Sequence, residues 1–502
     1  MFWGRGLVSG AIVALAATVL GCGASTAATW RLDPSISGSV EYTDNVRGVN
    51  SGAESDLVFT ARPGFQLRGT GGRLRLNLSA SVSAEHYAET DGLGGYTPQI
   101  TGAANAELFE DHLFLDASSS YRRSTLNRNG AISGSGRDLG SNQSDVFNVR
   151  LSPSLQFGFG RWARSQTRLT ASRSMYDVLD ENDDPAADST SDSTTFGVSE
   201  TISSGNRFGK FAWSLSGSHT RTRRDSGGNN AASGNTFKRS NVQGRVSYAV
   251  TRWATPYVRF GADGFSDVSL TGDNRDGAFF LFGADLRPGP RTTLSFGVGR
   301  RFQSVSYDGS FSYRFSSALN LRGSYSESVT TQQELESEPF EFVATDPITG
   351  ILIDTRTGLP ITPGEEAFDQ SFTDVVFRSR IFRMGLSGSR LRNTYSLSWF
   401  LSRRDTDGSA TPRDTSTVGV SGSFSRRLWP DLSLSVNGSF SDTADNAAAD
   451  SRRYQISTSL NYSLSDTLNT GLTVRHLNRT TEGPGDNELT ENSVVVTVRK
   501  TF

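Results

Sequence analysis

Cysteine is nearly absent. Cys22 is the only one among 502 residues, so the chain can form no internal disulfide and no thiolate metal site. Lysine occurs only at Lys210, Lys238 and Lys500, which leaves arginine to carry almost all the positive charge. The four histidines, His86, His112, His219 and His476, stand too far apart for a metal-binding spacing. Beyond the N-terminus no apolar run is long enough to span a membrane as a helix, and 35% hydrophobic residues is too few for a helical membrane protein. A formal net charge of -2 argues against a nucleic-acid-binding surface. Aromatic residues, at 10%, are too frequent for a disordered chain.

What is present begins with a leader. Residues 1–28 have an early charge at Arg5, an apolar stretch from Leu7 to Leu20 and small residues before Trp30, the form of a secretory signal cleaved after Ala27 or Ala28. Cys22 is expected to leave with it, the alternative being a lipid-attachment cysteine.

From Trp30 onward the polarity alternates with a period of two, the pattern of half-wet strands. In "RLRLNLSASVSAE", Leu74, Leu76, Leu78, Ala80 and Val82 share one face and Arg73, Arg75, Asn77, Ser79 and Ser81 the other. "LSLSVNGSF" at 432–440 and "YQISTSLNYSL" at 454–464 read the same way. Long polar connections near 44–55, 88–97, 125–144, 177–193, 224–236, 269–277, 331–372, 405–413, 442–451 and 480–490 alternate with tight links. Only the link near Tyr307–Gly309 is short where a long one is due. Three tight links place tryptophan near arginine, at Trp162, Trp253 and Trp429, as in an interfacial aromatic girdle.

These features predict an all-β chain: a transmembrane antiparallel up-and-down β-barrel of about 22 strands (roughly 18–24), with even parity, both ends on the short-turn rim and no N-terminal plug domain. Residues 29–502 would form this single barrel, carrying the long loop 331–372. A solenoid would show a fixed repeat, and sandwich domains would not leave the second face of most strands polar.

If the apolar face meets lipid, the other lines the lumen. Parity puts Arg62, Arg73, Arg75, Arg150, Arg168, Arg245, Arg259, Arg314 and Arg322 on the wet face. Guanidinium groups there would favour anionic solutes, or would brace the wall by pairing with Glu85, Asp116 and Asp263. The loop 331–372 has Arg356 as its one basic residue and many carboxylates. A solvated surface loop is the expectation, with an inward fold against the arginines or an acidic cap as alternatives. No catalytic pair stands out, and neither an enzyme nor a cofactor is expected. The acidic run 180–193 lacks the ligand order of a calcium loop, and the sequon at Asn461 falls within a strand.

Residues 288–331, "PGPRTTLSFGVGRRFQSVSYDGSFSYRFSSALNLRGSYSESVTT", resemble the PEP-CTERM system-associated outer membrane protein family, and "EYTDNV" at 41–46 and "SGSRLRNTYSLSWFLSRR" at 387–404 are similar to it too. The resemblance implies a bacterial outer-membrane barrel linked to exosortase-type sorting and exopolysaccharide production. The expected function is a passive pore or conduit for exopolysaccharide, with a structural or docking barrel holding surface polymer or sorted proteins as the alternative. Expected partners are outer-membrane lipid, the barrel-assembly machinery and an anionic polysaccharide.

The C-terminal "VVVTVRKTF" agrees with this reading. Val494, Val496 and Val498 continue an outward row, and terminal Phe502 resembles the assembly signal of barrel proteins. The last strand is expected to close the barrel against Pro34–Thr43. Lys500 departs from the signal by placing a charge on the apolar parity, where its stem could snorkel to the rim.

Overall fold

The computed structural model describes residues 29–502 apart from 140, 179–190, 226–235, 268–274, 338–342, 346–351, 355–358, 362–375, 407–412 and 483–486. The leader with Cys22 and most of the acidic run at 180–193 lie outside the described residues.

Strands follow one another along the chain as β1 (Thr29–Thr43), β2 (Asp56–Thr70), β3 (Leu74–Tyr87), β4 (Gly95–Phe109), β5 (Leu113–Thr125), β6 (Gln143–Phe159), β7 (Ala163–Val178), β8 (Ser193–Ser204), β9 (Phe211–Arg224), β10 (Thr236–Tyr248), β11 (Ala254–Ser266) and β12 (Gly277–Gly289). They continue as β13 (Thr292–Arg301), β14 (Ser304–Ser316), β15 (Leu319–Thr330), β16 (Val343–Thr345), β17 (Leu352–Asp354), β18 (Leu359–Ile361), β19 (Phe377–Arg390), β20 (Asn393–Asp405), β21 (Asp414–Trp429), β22 (Leu432–Asp445), β23 (Asp450–Ser465), β24 (Leu468–Glu482) and β25 (Asn487–Thr501). All but β16–β18 join one 22-stranded sheet. Neighbours pair antiparallel, β15 pairs with β19 across the long loop, and β1 pairs with β25 to close the ring. The strand number, the even parity and the closing partner agree with the sequence reading.

The alternation becomes two faces. On β1, Leu32, Ile36 and Val40 are exposed outward, while Ser35, Ser37, Ser39, Glu41 and Thr43 turn inward. The same parity passes around the ring through each register, leaving Phe260, Phe280, Phe282, Phe296 and Val298 on the outside. An apolar outer band of this kind is what lipid requires, and closure leaves no unpaired backbone edge within it.

Fifteen residues, the length of β1 and β2, span about 50 Å at roughly 3.3–3.4 Å per residue, more than a tilted strand needs to cross a band about 25 Å tall. The excess stands beyond the band, where both faces are polar. Asp442 and Arg452, 3.7 Å apart on the outward parity of β22 and β23, mark that level. This is why β22 to β25 run into stretches at 442–451 and 480–490 that polarity alone assigns to loops: the backbone ladder continues after the alternation has ended.

The short-turn rim carries Trp162, Trp253 and Trp429, each more than half exposed, and the Arg207 guanidinium lies 3.9 Å over the Trp162 ring. On the opposite rim the short link is at Phe302–Gln303, not Tyr307–Gly309, which lies inside β14. Both turn residues have positive φ, 53° and 60°, the geometry of a two-residue hairpin that suits strand twist. Phe302 occupies it with its ring buried among Phe237, Phe265 and Val329.

Candidate functional site

The inner wall is not uniform. On β20 and β21 it is lined by hydroxyls that pair across strands, Ser396 with Ser423 at 2.5 Å and Ser398 with Ser421 at 2.6 Å. On β10 to β14 arginines are braced by aspartates: Arg245–Asp285 at 2.5 Å, Arg301–Asp263 at 2.6 Å, and Arg259 with Asp308. Arg168 meets Asp116 at 3.1 Å. Arg62 donates to Ser83 Oγ at 2.7 Å and Arg150 to Ser152 Oγ at 3.4 Å. Arg75, Arg314 and Arg322 are exposed on the inward parity and have no carboxylate partner among the described residues. Arg73 stands in the turn before β3, beside Glu110. The nine arginines therefore divide: some stiffen the wall and a few remain available to a solute.

Above this wall two segments enter the lumen from the long-loop rim. The first is 126–142, between β5 and β6. Asn142 ties its ends together, donating to Asn127 O and Ala131 O at 2.8 Å each and accepting from Asn127 N at 2.8 Å. The segment then crosses to the far wall. Ile132 packs on Leu477 and Leu489, inward residues of β24 and β25 that are fully buried beneath it. The Ile132 amide donates to Gly48 O at 3.2 Å. Gly48 has φ +60°, and a Cβ there would stand 2.1 Å from Ile132 O, so only glycine allows this approach.

Arg137 is the main electrostatic anchor. Its guanidinium reaches Glu491 at 2.6 Å, Glu41 at 3.2 Å and Asn45 O at 2.5 Å, and its side chain is 2% exposed. Burial opposes its charge, but Glu491 and Glu41 outweigh that and hold its pKa above the ordinary value. Arg128 pairs with Asp445 at 3.0 Å. Arg479, buried on β24, donates to the carbonyls of Arg128 and Gly130.

The second segment is the top of β15 with the short helix Gln332–Ser337. The β14–β15 register ends at Gly309↔Tyr325, and beyond it β15 leans inward. Val329, on the outward parity, is buried against Phe237 and Phe302, and its carbonyl accepts from Arg239 on the inner face of β10 at 3.1 Å. Glu327 meets Arg378 at 2.6 Å. The helix continues across the lumen: Glu334 accepts from Thr222 Oγ1 of β9 at 3.0 Å, and Gln332 from Arg404 of β20 at 2.8 Å. The expectation of a solvated loop therefore fails for Thr331–Glu334, which are buried inside the mouth. Charge explains the difference, because Glu334 lies 3.6 Å from Arg239. Side chains from 335 to 375 lie outside the described residues.

Several residues in this arrangement escape a strand-by-strand reading. Arg128 and Arg137 look like loop charges, and Arg31, Arg68, Arg479 and Arg499 join the inward face only when registers are known. Among the described residues no cluster of three potential metal ligands occurs.

No family model and no curated protein matches the chain. Among solved structures it is similar to the FrpB iron transporter from Neisseria meningitidis (F5-1 variant), at 11% identity and a TM-score of 0.51, covering 94% of this chain and 82% of that one. The apoprotein form of the same transporter gives 11% identity and a TM-score of 0.50, covering 94% and 81%. At this identity the likeness shows the fold: a large outer-membrane-type β-barrel.

Proposed function

We propose that the chain is a bacterial outer-membrane conduit whose extracellular mouth is closed by its own two inward segments, and that it serves exopolysaccharide export in an exosortase-associated system. The observation that carries this reading is how the closure is held. Among the described residues, segment 126–142 is fastened to the wall by ion pairs and polar contacts, with the Ile132 cluster and the buried Leu126 and Leu139 as its apolar part. Such a contact can be undone without unfolding the barrel, since the wall keeps its own backbone ladder. The hydroxyl-lined wall offers a hydrated sugar polymer many exchangeable hydrogen bonds. The resemblance at residues 288–331 supplies the link to exopolysaccharide, and the fold likeness to an iron transporter is compatible with transport. Neither an enzymatic step nor a cofactor enters this reading.

A docking barrel without transport is the second reading. It is favoured by the braced wall at Arg245–Asp285 and Arg259–Asp308, which stiffens the lumen. Single-channel recording in planar bilayers separates the two. Replacing 128–138 by two glycines is expected to raise conductance several-fold over the intact chain. A barrel that stays closed after that change, and after removal of 331–375 as well, would exclude the conduit and leave the docking role.

A further inference from the structure

We infer that the lumen face formed by β25, β1, β2 and β3 is a binding track for a polyanionic glycan, one bearing sulfate, phosphate or carboxylate groups, leading from the periplasmic mouth to the underside of segment 126–142. The identity of the cargo as a polymer rests on the conduit reading, whereas the track rests on the register.

Arg31 and Arg68 are directly opposite each other in the β1–β2 register. Like charges in that position repel, and a fold that places them there on a water-filled face has a use for the field. Arg75 is diagonal to Arg68, since Thr70 pairs with Arg75. The one carboxylate on these rows at that level is Asp33, 2.8 Å from Arg31, and Arg68 donates to the neutral Gln66 at 2.8 Å. On β4 next to them, Glu107 is engaged by the Asp111 amide at 2.6 Å.

Six residues further up β2, about 20 Å along the strand, comes a second basic step. Ser37 of β1 pairs with Arg62 on one side and Arg499 on the other, so two guanidinium groups flank one small hydroxyl. Six residues beyond Ser37 on β1, Thr43 pairs with Ser493, which pairs with Arg475. Arg475 lies directly under the inward segment, its Cδ 2.7 Å from where a Cβ on Gly134 would stand. Glu41 and Glu491 share this level and balance the charge, so the attraction ends where the closure begins.

On the opposite wall Arg314 and Arg322 are likewise without a carboxylate partner among the described residues, but they are two on neighbouring strands, not a series of steps along the lumen. Arg245, Arg259 and Arg301 each face an aspartate. Arginines gathered on adjacent rows raise the local potential in a lumen bounded by low-dielectric lipid, and planar guanidinium forks onto sulfate, phosphate or carboxylate.

The test is equilibrium binding of dextran sulfate and of uncharged dextran to the full chain in detergent micelles, with folding checked by the mobility of unheated samples on a gel. The intact chain is expected to bind dextran sulfate and not dextran. The triple variant R62S/R68S/R75S should weaken binding at least about tenfold, as loss of three charge-assisted contacts implies, and R62K/R68K/R75K should retain most of it. R245S/D285S on the opposite wall should leave binding unchanged. Equal binding by the triple serine variant, equal binding of both dextrans, or equal loss from R245S/D285S would each overturn the track. A chain that binds through these arginines but never conducts would sink the conduit and leave the track, and one that conducts without binding dextran sulfate would do the reverse.

Discussion

Arg137 is placed where a single substitution reports on the whole closure. Its charge is buried between Glu41 and Glu491, whose side chains are 10% and 1% exposed. Removing one member of a buried ionic group leaves the rest uncompensated, at a cost of roughly 3–5 kcal/mol. Arg137→Met is therefore expected to release segment 126–142 while the barrel stays folded. Amide hydrogen exchange at Ile132, whose N–H donates to Gly48 O, should accelerate by at least about 100-fold, the equivalent of roughly 3 kcal/mol. Unchanged exchange there would show that the Ile132 cluster, not the ion pairs, holds the segment. The sequence shows Arg137 only as a basic residue in a polar connection. Its partners lie about 96 and 354 positions away along the chain, and nothing local pairs them.

At the scale of elements, the wall was legible and what fills it was not. Alternation decides which face of a strand meets lipid, and that holds for Leu32, Ile36 and Val40 as for Val494, Val496 and Val498. It gives no sign that β15, still paired with β19, parts from β14 and leans inward after Tyr325, because Glu327 and Val329 keep the same parity while their surroundings change from lipid to the inner face of β10 and the Phe302 turn. The cause is the short β13–β14 hairpin, which stops at Phe302–Gln303 and leaves β15 without a partner on that side. Apolar contact with Phe237 and Phe302 then substitutes for the missing ladder. Val329→Asp would place a carboxylate among these rings at a cost of several kcal/mol. We expect it to detach the helix, with amide exchange at Glu334 rising at least about 100-fold. Exchange at Ile132 should not move, because the two segments are anchored to different walls and distant sites are nearly independent. Joint acceleration would show that the closures act as one unit.

On the scale of the molecule the decisive contact is the seam. The other strands of the ring pair in chain order, β15 reaching β19 across the long loop, but β1 and β25 must meet from opposite ends, from Ser35↔Thr501 to Thr43↔Ser493. The last link is the amide of Phe502, which donates to Pro34 O at 2.9 Å, while its ring is exposed outward at the short-turn rim. Lys500 does not disturb this end, since its Nζ reaches Thr467 Oγ1 at 2.7 Å, at the turn preceding β24. An unclosed seam would leave backbone groups unpaired in lipid, each costing several kcal/mol, so β25 is needed to its end. A terminal ring could serve closure itself or recognition by the assembly machinery, and the two have different consequences. For Phe502→Ala, refolding into lipid vesicles without any machinery, followed by unheated gel mobility, should give nearly the normal compact fraction, because the ladder up to Thr501 is intact. In cells the amount reaching the outer membrane should fall several-fold, whereas Lys500→Ile should change neither. A fall in vesicles as large as in cells would assign Phe502 to the seam alone. No fall in either would show that the terminal ring is not read at all.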